Sequence, residues 1–333
     1  MGLNLLIADN AEGNPRRIGI ELEFAGLELP EAADIIRELY GGRVHRINRY
    51  QFEITGTELG DFEVELDARL LKKMAGSEFL AVWDLDVDEE TIRDSIGDIL
   101  DRLAKAVIPL EIVMPPLPAG NIERLEELRE KLQEWKAEGT ESSWMHAFGM
   151  HINIEAPDLE PGTLLRYLRA FFVLYPWLLE VLNIDLSRRI SPFIDHFPDR
   201  YVELVLQEEY RPDTRNMMAD YIAYNPTRNR PLDLMPIWAL VDEKLVSEAL
   251  GDEKNKPRPT FHYRLPNSRI EDPDWTFRQE LDRWMEIEKL ANDAEMLRKL
   301  CKLYLFRRDE TLVSFRKEWA RIAAILLDLD LHA

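Results

Sequence analysis

The chain has one cysteine, Cys301, in 333 residues. No intrachain disulfide can form, and no cysteine-based zinc cluster can be built. Cys301 lies beside Leu300 and Leu303 in a helix-like stretch, which predicts a buried thiol within the core. Basic charge is also scarce, with 42 lysines and arginines against 63 acidic residues and a formal net charge of −21. Neutralising a phosphate backbone needs a basic surface, so nucleic acid is not expected as a general partner. ATP stays open, because metal ions and a few local arginines can offset phosphate charge inside a cleft. Long apolar runs are missing. FFVLYPWLLEVL (171–182) is too short and too aromatic to cross a bilayer, and it reads as a core helix. The N-terminal MGLNLLIADN has neither the basic region nor the long apolar stretch of a signal peptide. Leu6 stands where the myristoylation pattern needs Ser or Thr. The expectation is a soluble, cytoplasmic protein with no membrane partner. The signatures G-x-x-x-x-G-K-[ST], G-x-G-x-x-G, H-E-x-x-H and G-x-S-x-G are absent as well. Any use of ATP must therefore run through metal ions and arginines and not through a P-loop.

What the chain does have is a set of short segments that alternate chemically active side chains with apolar ones. Successive side chains of a strand point to opposite faces. In IGIELEF (18–24), Glu21 and Glu23 then share one face, while Ile18, Ile20, Leu22 and Phe24 share the other. In FEVELD, Glu63, Glu65 and Asp67 oppose Phe62, Val64 and Leu66. In GMHINIE, His151, Asn153 and Glu155 oppose Met150, Ile152 and Ile154. In FHYRL, His262 and Arg264 oppose Phe261, Tyr263 and Leu265. An ordinary half-buried strand puts Thr, Ser, Lys and Gln on its wet face, and any one of these segments could be such a strand. Four of them with carboxylate, imidazole, amide and guanidinium groups in step describe a concave site for divalent cations and phosphate.

The remaining segments supply a scaffold. The 46% hydrophobic content is ample for a large core. Apolar spacing predicts helices over Glu31–Tyr40, ending at Gly41-Gly42, and over Thr91–Ala106, Ile122–Ala137, Gly162–Leu182, Asp274–Arg308 and Glu310–Asp328. Between Thr91–Ala106 and Ile122–Ala137, IPLEIVMPPL reads as a short apolar strand closed by Pro115-Pro116, with Glu111 its only charge. Ser187–Pro236, dense in Pro, Arg, Asn and Tyr, is expected to be the least regular part. Asp272 and Asp274 are expected to cap the helix that begins near Trp275, and Trp144, Trp177, Trp238 and Trp275 to be core. The strands are not arranged as uniform βαβ units, and their alternation suits an antiparallel sheet wet on one side. The expected fold is α+β: a curved, mainly antiparallel sheet whose polar face forms a funnel, backed by helices. It makes one domain over 1–333, with 275–333 as a helical region. Arg228 and Arg230 in the irregular middle are candidates for phosphate or substrate carboxylate, against the plain reading of loop arginines. Asn225 is a weaker candidate, since N-P is a common turn dipeptide.

The segments R-R-I-G-I-E-L-E-F, F-E-V-E-L-D, L-E-I-V-M-P-P-L, F-G-M-H-I-N-I and F-H-Y-R-L-P-N-S-R-I, in that order, resemble the amidoligase family. That family belongs to the carboxylate–amine ligase superfamily of glutamine synthetase and glutamate–cysteine ligase. The resemblance runs from Arg17 to Trp284, about four-fifths of the chain. It implies an enzyme that uses ATP to phosphorylate a carboxylate, after which an amine attacks the acyl phosphate to give an amide. It implies Mg²⁺ or Mn²⁺ ions held by strand carboxylates and a histidine. By position, Glu21 and Glu23 resemble the first-strand metal ligands, Glu65 and Asp67 the second acidic pair, and Glu111 the third. His151 resembles the histidine that faces metal or nucleotide phosphate. Arg264 resembles the arginine of the late E-F-R strand that steadies the transferred phosphoryl group, and Arg228 is its candidate catalytic companion. Arg269 is a candidate for nucleotide binding. The late strand departs from E-F-R, because His262 stands where the family has Glu. Imidazole is a poor ligand for Mg²⁺, so either His262 has another role or the site prefers a softer metal. The substrates implied are a carboxylate and an amine carried by amino acids, polyamines or peptides. A phosphotransferase of the same fold and a non-catalytic scaffold stay open as alternatives, and so does oligomeric state, with a homo-oligomer among the options.

Overall fold

The computed structural model describes residues 2–66, 109–135, 137, 148–182, 195–251, 255–310 and 315–331. Asp67, Trp144 and the expected helix at Thr91–Ala106 lie outside these residues. The strands are β1 (Arg17–Phe24), β2 (Arg43–Asn48), β3 (Gln51–Thr57), β4 (Gly60–Leu66), β5 (Leu110–Val113), β6 (Leu117–Pro118), β7 (Met150–Glu155), β8 (Leu232–Asp233) and β9 (Thr260–Tyr263). They form one sheet in the order β2-β3-β4-β5-β1-β7-β9-β8, with β6 pairing further along β1. Every pairing is antiparallel. The sheet is open, with β2 and β8 at its ends. β5 and β6 both lie along β1 but are separated at Met114–Pro116, where two prolines lack the N–H a ladder needs.

The period-2 pattern sorts the side chains as expected. Ile18, Ile20, Leu22, Phe24, Val64, Ile112, Met150, Ile152, Ile154 and Phe261 are all fully buried. Helices cover this apolar face. Helix α1 (Leu29–Tyr40) stacks Tyr40 on Phe62 of β4, with ring centroids 5.5 Å apart. Pro30 occupies its first turn, Glu28 and Glu31 close a capping box, and Gly41 ends it at φ 72°, a conformation that favours glycine. A 3-10 turn (Ala119–Leu125) leads into α2 (Glu126–Glu134). Helix α3 (Pro161–Val181) lays Tyr167 over Phe261 of β9 at 4.9 Å. Among the described residues no helix is long and apolar enough to cross a membrane.

The middle of the chain is more regular than its composition predicts. It holds α4 (Asp199–Leu206), α5 (Thr214–Tyr224), the strand β8, and α6 (Met235–Val241), which is followed by α7 (Glu243–Leu250). The side chain of Asp213 caps α5 by accepting from Asn216 N. Phe197, Tyr201 and Tyr221 pack ring on ring within 6.4 Å. That burial outweighs the weak local propensities of an Arg- and Asn-rich segment.

The predicted helix Asp274–Arg308 is in fact two: α8 (Phe277–Asn292) and α9 (Ala294–Glu310). Asp293 breaks it, leaving helical geometry and capping the next helix through its side chain to Met296 N. The cap of α8 is Thr276, paired with Gln279, and not Asp272 or Asp274. Trp284 of α8 packs on Phe261 and Tyr263 of β9. The last described helix, α10 (Phe315–Leu327), packs with α8 and α9 around α3. Cys301 is buried as expected.

Candidate functional site

Antiparallel pairing places the singled-out side chains in adjacent rows on the polar face. Glu65 of β4 pairs with Glu111 of β5, and Glu111 pairs with Glu23 of β1. Three carboxylates therefore stand side by side on three neighbouring strands. Directly opposite side chains have Cβ atoms about 4.5–5.5 Å apart, where like charges repel. Two residues back along β1, Glu21 pairs with His151 of β7. Asn153 of β7 pairs with His262 of β9, and His262 pairs in turn with Asp233 of β8.

The centre of this face is not wet. Glu23, Glu111, His151, Asn153, His262 and Asp233 are all buried, which corrects the expectation of a solvated face. Ion pairs and hydrogen bonds bind the group together. His151 Nδ1 lies 3.2 Å from Glu21 Oε2 and 3.9 Å from Glu111 Oε1, and its Nε2 lies 3.6 Å from Glu23 Oε1. Gly149 N donates to Glu23 Oε2 at 2.7 Å. Asn153 Nδ2 donates to Glu21 Oε1 at 2.9 Å, while Asn153 Oδ1 accepts from Arg258 Nη2 and lies 2.8 Å from His262 Nδ1. Arg258 Nη2 also stands 3.7 Å from Glu21 Oε1.

These contacts set the charges. Burial pushes the Glu21 carboxyl up, but His262, His151 and Arg258 outweigh it and hold it well below the usual carboxylate range. Burial pushes the His262 imidazole well below its usual range; Glu21 opposes this, and His151, Arg228 and Arg264 reinforce it. Burial raises Asp233 despite Arg228, Met235 N and Arg264. Among the described residues, two sets each bring one ligand-capable atom per residue within 4.8 Å of one another: Glu21, His151 and His262, and Glu23, Glu111 and His151. The second set, with Glu65 next in the row, suits a hard divalent cation. The first set offers two imidazoles and one carboxylate, a composition that does not suit Mg²⁺.

The arginines divide. Arg228 Nε donates to Asp233 Oδ2 at 3.2 Å, and Arg264 Nη1 donates to the carbonyl of Arg228 and to Asn229 Oδ1. Both act electrostatically on His262, which puts them at the β8–β9 edge of the cluster. Arg269 pairs instead with Asp272 at 2.8 Å. Arg230, a candidate for phosphate, binds the carbonyls of Asp195, His196 and Tyr224 and lies over the Phe197 ring. It braces the loop. Asn225 caps α5 through Nδ2 to Tyr221 O at 3.0 Å, which is a structural role. Glu155 turns to Asn10 and to the backbone N–H of Arg17.

Two residues of the cluster, Asp233 and Arg258, are not singled out by the sequence, whereas Asn153 falls on the polar face of its strand. Asp233 lies in P-L-D-L and Arg258 in K-P-R-P, and neither local pattern marks them.

The fold and site together define a protein with a buried cluster of carboxylates and imidazoles on one face of an antiparallel sheet. The family described as "Putative amidoligase enzyme" matches residues 14–286, which include every residue of the cluster. The chain belongs to this family, whose description denotes a ligase. No curated protein and no solved structure matches it.

Proposed function

We propose that this protein is an ATP-dependent ligase that joins a carboxylate to an amine, the carboxylate or amine being carried by an amino acid, a polyamine or a peptide. The observation that carries this reading is the row Glu65–Glu111–Glu23 with His151 in contact at its end. Buried carboxylates at neighbouring register positions repel one another unless a cation lies among them. Glu23, Glu111 and His151, with Glu65 beside them, would hold Mg²⁺ or Mn²⁺. When bound, the ion would supply charge neutralisation between the phosphates of ATP and an anionic substrate. In this reading the polar face is the wall of a funnel-shaped active site.

The chain's own residues then have separable tasks. Arg264 and Arg228 supply fixed positive charge at one edge, where charge spreads over a transferring phosphoryl group. Asn153 and Arg258 hold Glu21 ionised and oriented. Gly149 N fixes one oxygen of Glu23, leaving the other turned to His151. The substrate carboxylate attacks the γ-phosphorus of ATP and releases ADP. The amine then attacks the acyl carbon and releases phosphate, so that one amide, one ADP and one phosphate form per turnover.

The test is to incubate the protein with ATP, Mn²⁺ and a panel of amino acids, polyamines and peptides, then identify the nucleotide and organic products. ADP, phosphate and an amide of the expected mass support the reading. AMP would exclude the acyl-phosphate route. A phosphorylated carboxylate without an amide would make the protein a phosphotransferase.

A further inference from the structure

Asp233, on the short strand β8, has no solvent exposure and pairs in register with His262 of β9. Its carboxylate accepts twice. Oδ1 receives Met235 N at 2.8 Å, at the start of α6, and Oδ2 receives Arg228 Nε at 3.2 Å. The first contact needs no carboxylate, because the single side-chain oxygen of Asn or Ser serves the start of a helix as well. Nor does stability call for one, since replacing a buried ion pair with apolar side chains is often neutral or stabilising. What a carboxylate adds is a second acceptor oxygen, and here that oxygen faces the guanidinium of Arg228.

Arg228 in turn holds Arg264. The Arg228 carbonyl accepts from Arg264 Nη1, which also reaches Asn229 Oδ1 at 3.3 Å, and Pro231 O accepts from Arg264 N at 2.9 Å. The loop that carries these acceptors is pinned from its other side, where Arg230 binds the carbonyls of Asp195, His196 and Tyr224. Arg228 and Arg264 both act electrostatically on Asp233, so one buried carboxylate lies in the field of both guanidinium groups. Like charges repel, and a fixed anion beside both offsets that repulsion. A long side chain without such a partner samples several rotamers, and ordering it costs entropy when a ligand binds.

We propose that Asp233 is a positioning residue for the phosphates of ATP: it fixes the guanidinium of Arg228 directly and, by anchoring the loop that carries the Arg228 carbonyl, that of Arg264. Both charges then stand in place at the β8–β9 edge before the nucleotide arrives. Asp233 itself touches no reacting atom in this arrangement. This role rests on the reading that Arg228 and Arg264 meet ATP, and it is independent of which bond the protein makes afterwards. Asp233→Asn is the informative change, since the amide keeps an oxygen for Met235 N and turns a donor toward Arg228 Nε.

The experiment uses the full chain with ATP and Mg²⁺, and compares ADP release by the wild-type protein, Asp233→Asn, Arg228→Gln and the double variant. Asp233→Asn should lower kcat by about 10–100-fold and change the KM for ATP by less than about threefold. In the Arg228→Gln background the same change should cost less than about twofold, because its effect runs through Arg228. Losses that multiply in the double variant, or a wild-type kcat in folded Asp233→Asn, overturn the proposal. A second measurement needs no variant of Asp233. In protein with ¹⁵N-labelled arginine, the Nε–H of Arg228, assigned by its loss in Arg228→Gln, should be protected from exchange and should shift when ATP and Mg²⁺ are added. A signal averaged with solvent, or one that ATP leaves unmoved, overturns the proposal even where Asp233→Asn does not fold. Amide formation with unchanged kinetics in Asp233→Asn would sink this inference and leave the ligase reading intact. ADP formation without an amide, with the expected pattern across the variants, would do the reverse.

Discussion

Arg16 and Glu288 form an ion pair with no solvent exposure on either side chain, Arg16 Nη2 to Glu288 Oε1 at 2.7 Å. The same guanidinium donates through Nε to Glu155 O at 2.7 Å and through Nη1 to Ile7 O at 2.9 Å. One side chain thus ties the N-terminal segment, the end of β7 and helix α8 together, at the back of the strand that carries Glu21 and Glu23. Removing the carboxylate with Glu288→Ala leaves a buried, always-charged guanidinium without a counter-ion. Breaking a buried pair in this way costs about 3–5 kcal/mol. A folded domain holds only about 5–15 kcal/mol in total, so the variant should lose a large fraction of its stability. Glu288→Gln keeps the shape and an acceptor oxygen for Arg16, so it should lose less than Glu288→Ala. Urea unfolding followed by tryptophan fluorescence measures both, and the order Ala, then Gln, then wild type should appear in the midpoints with similar slopes. A loss under about 1 kcal/mol for Glu288→Ala would refute the reasoning, because it would mean that water or another anion reaches Arg16.

Glu23→Gln should abolish turnover and leave the fold intact, since Gln can still accept from Gly149 N while relieving repulsion with Glu111; near-normal activity in saturating Mg²⁺ would remove Glu23 from the site. Arg264→Lys should lower kcat by about 10²–10³ with a smaller effect on ATP binding, because the planar fork of guanidinium matters most in the transition state; an equal loss in both would assign it to ground-state binding. For pH, the imidazole of His262 is held well below its usual 6.5, so between these values the unfolded chain binds a proton that the folded chain does not. The metal-free protein should therefore lose stability as pH falls below about 6.5, by up to about 1.4 kcal/mol per pH unit for this group, and His262→Gln should flatten that slope. Denaturation at a series of pH values checks it, and an identical slope in the variant would show that His262 titrates normally.

The sequence by itself determined which side chains share a face. Alternation is a local property of extended backbone, so Glu21 with Glu23, and His151 with Asn153, could be read from neighbouring letters. Only the tertiary structure decided which faces meet. Glu23 faces Glu111 and Glu21 faces His151 because β1 lies between β5 and β7, and long-range pairing of that kind leaves no mark within either segment. The same holds for the arginines. Residue type made Arg228, Arg230, Arg258, Arg264 and Arg269 chemically equal, and packing separated them. Arg230 went to backbone carbonyls and Arg269 to Asp272, while Arg258 reached Asn153 and Glu21 from a loop with no pattern of its own. Burial was decided there too: an alternating strand shows that one face is polar, but whether water reaches that face depends on what the rest of the chain lays over it.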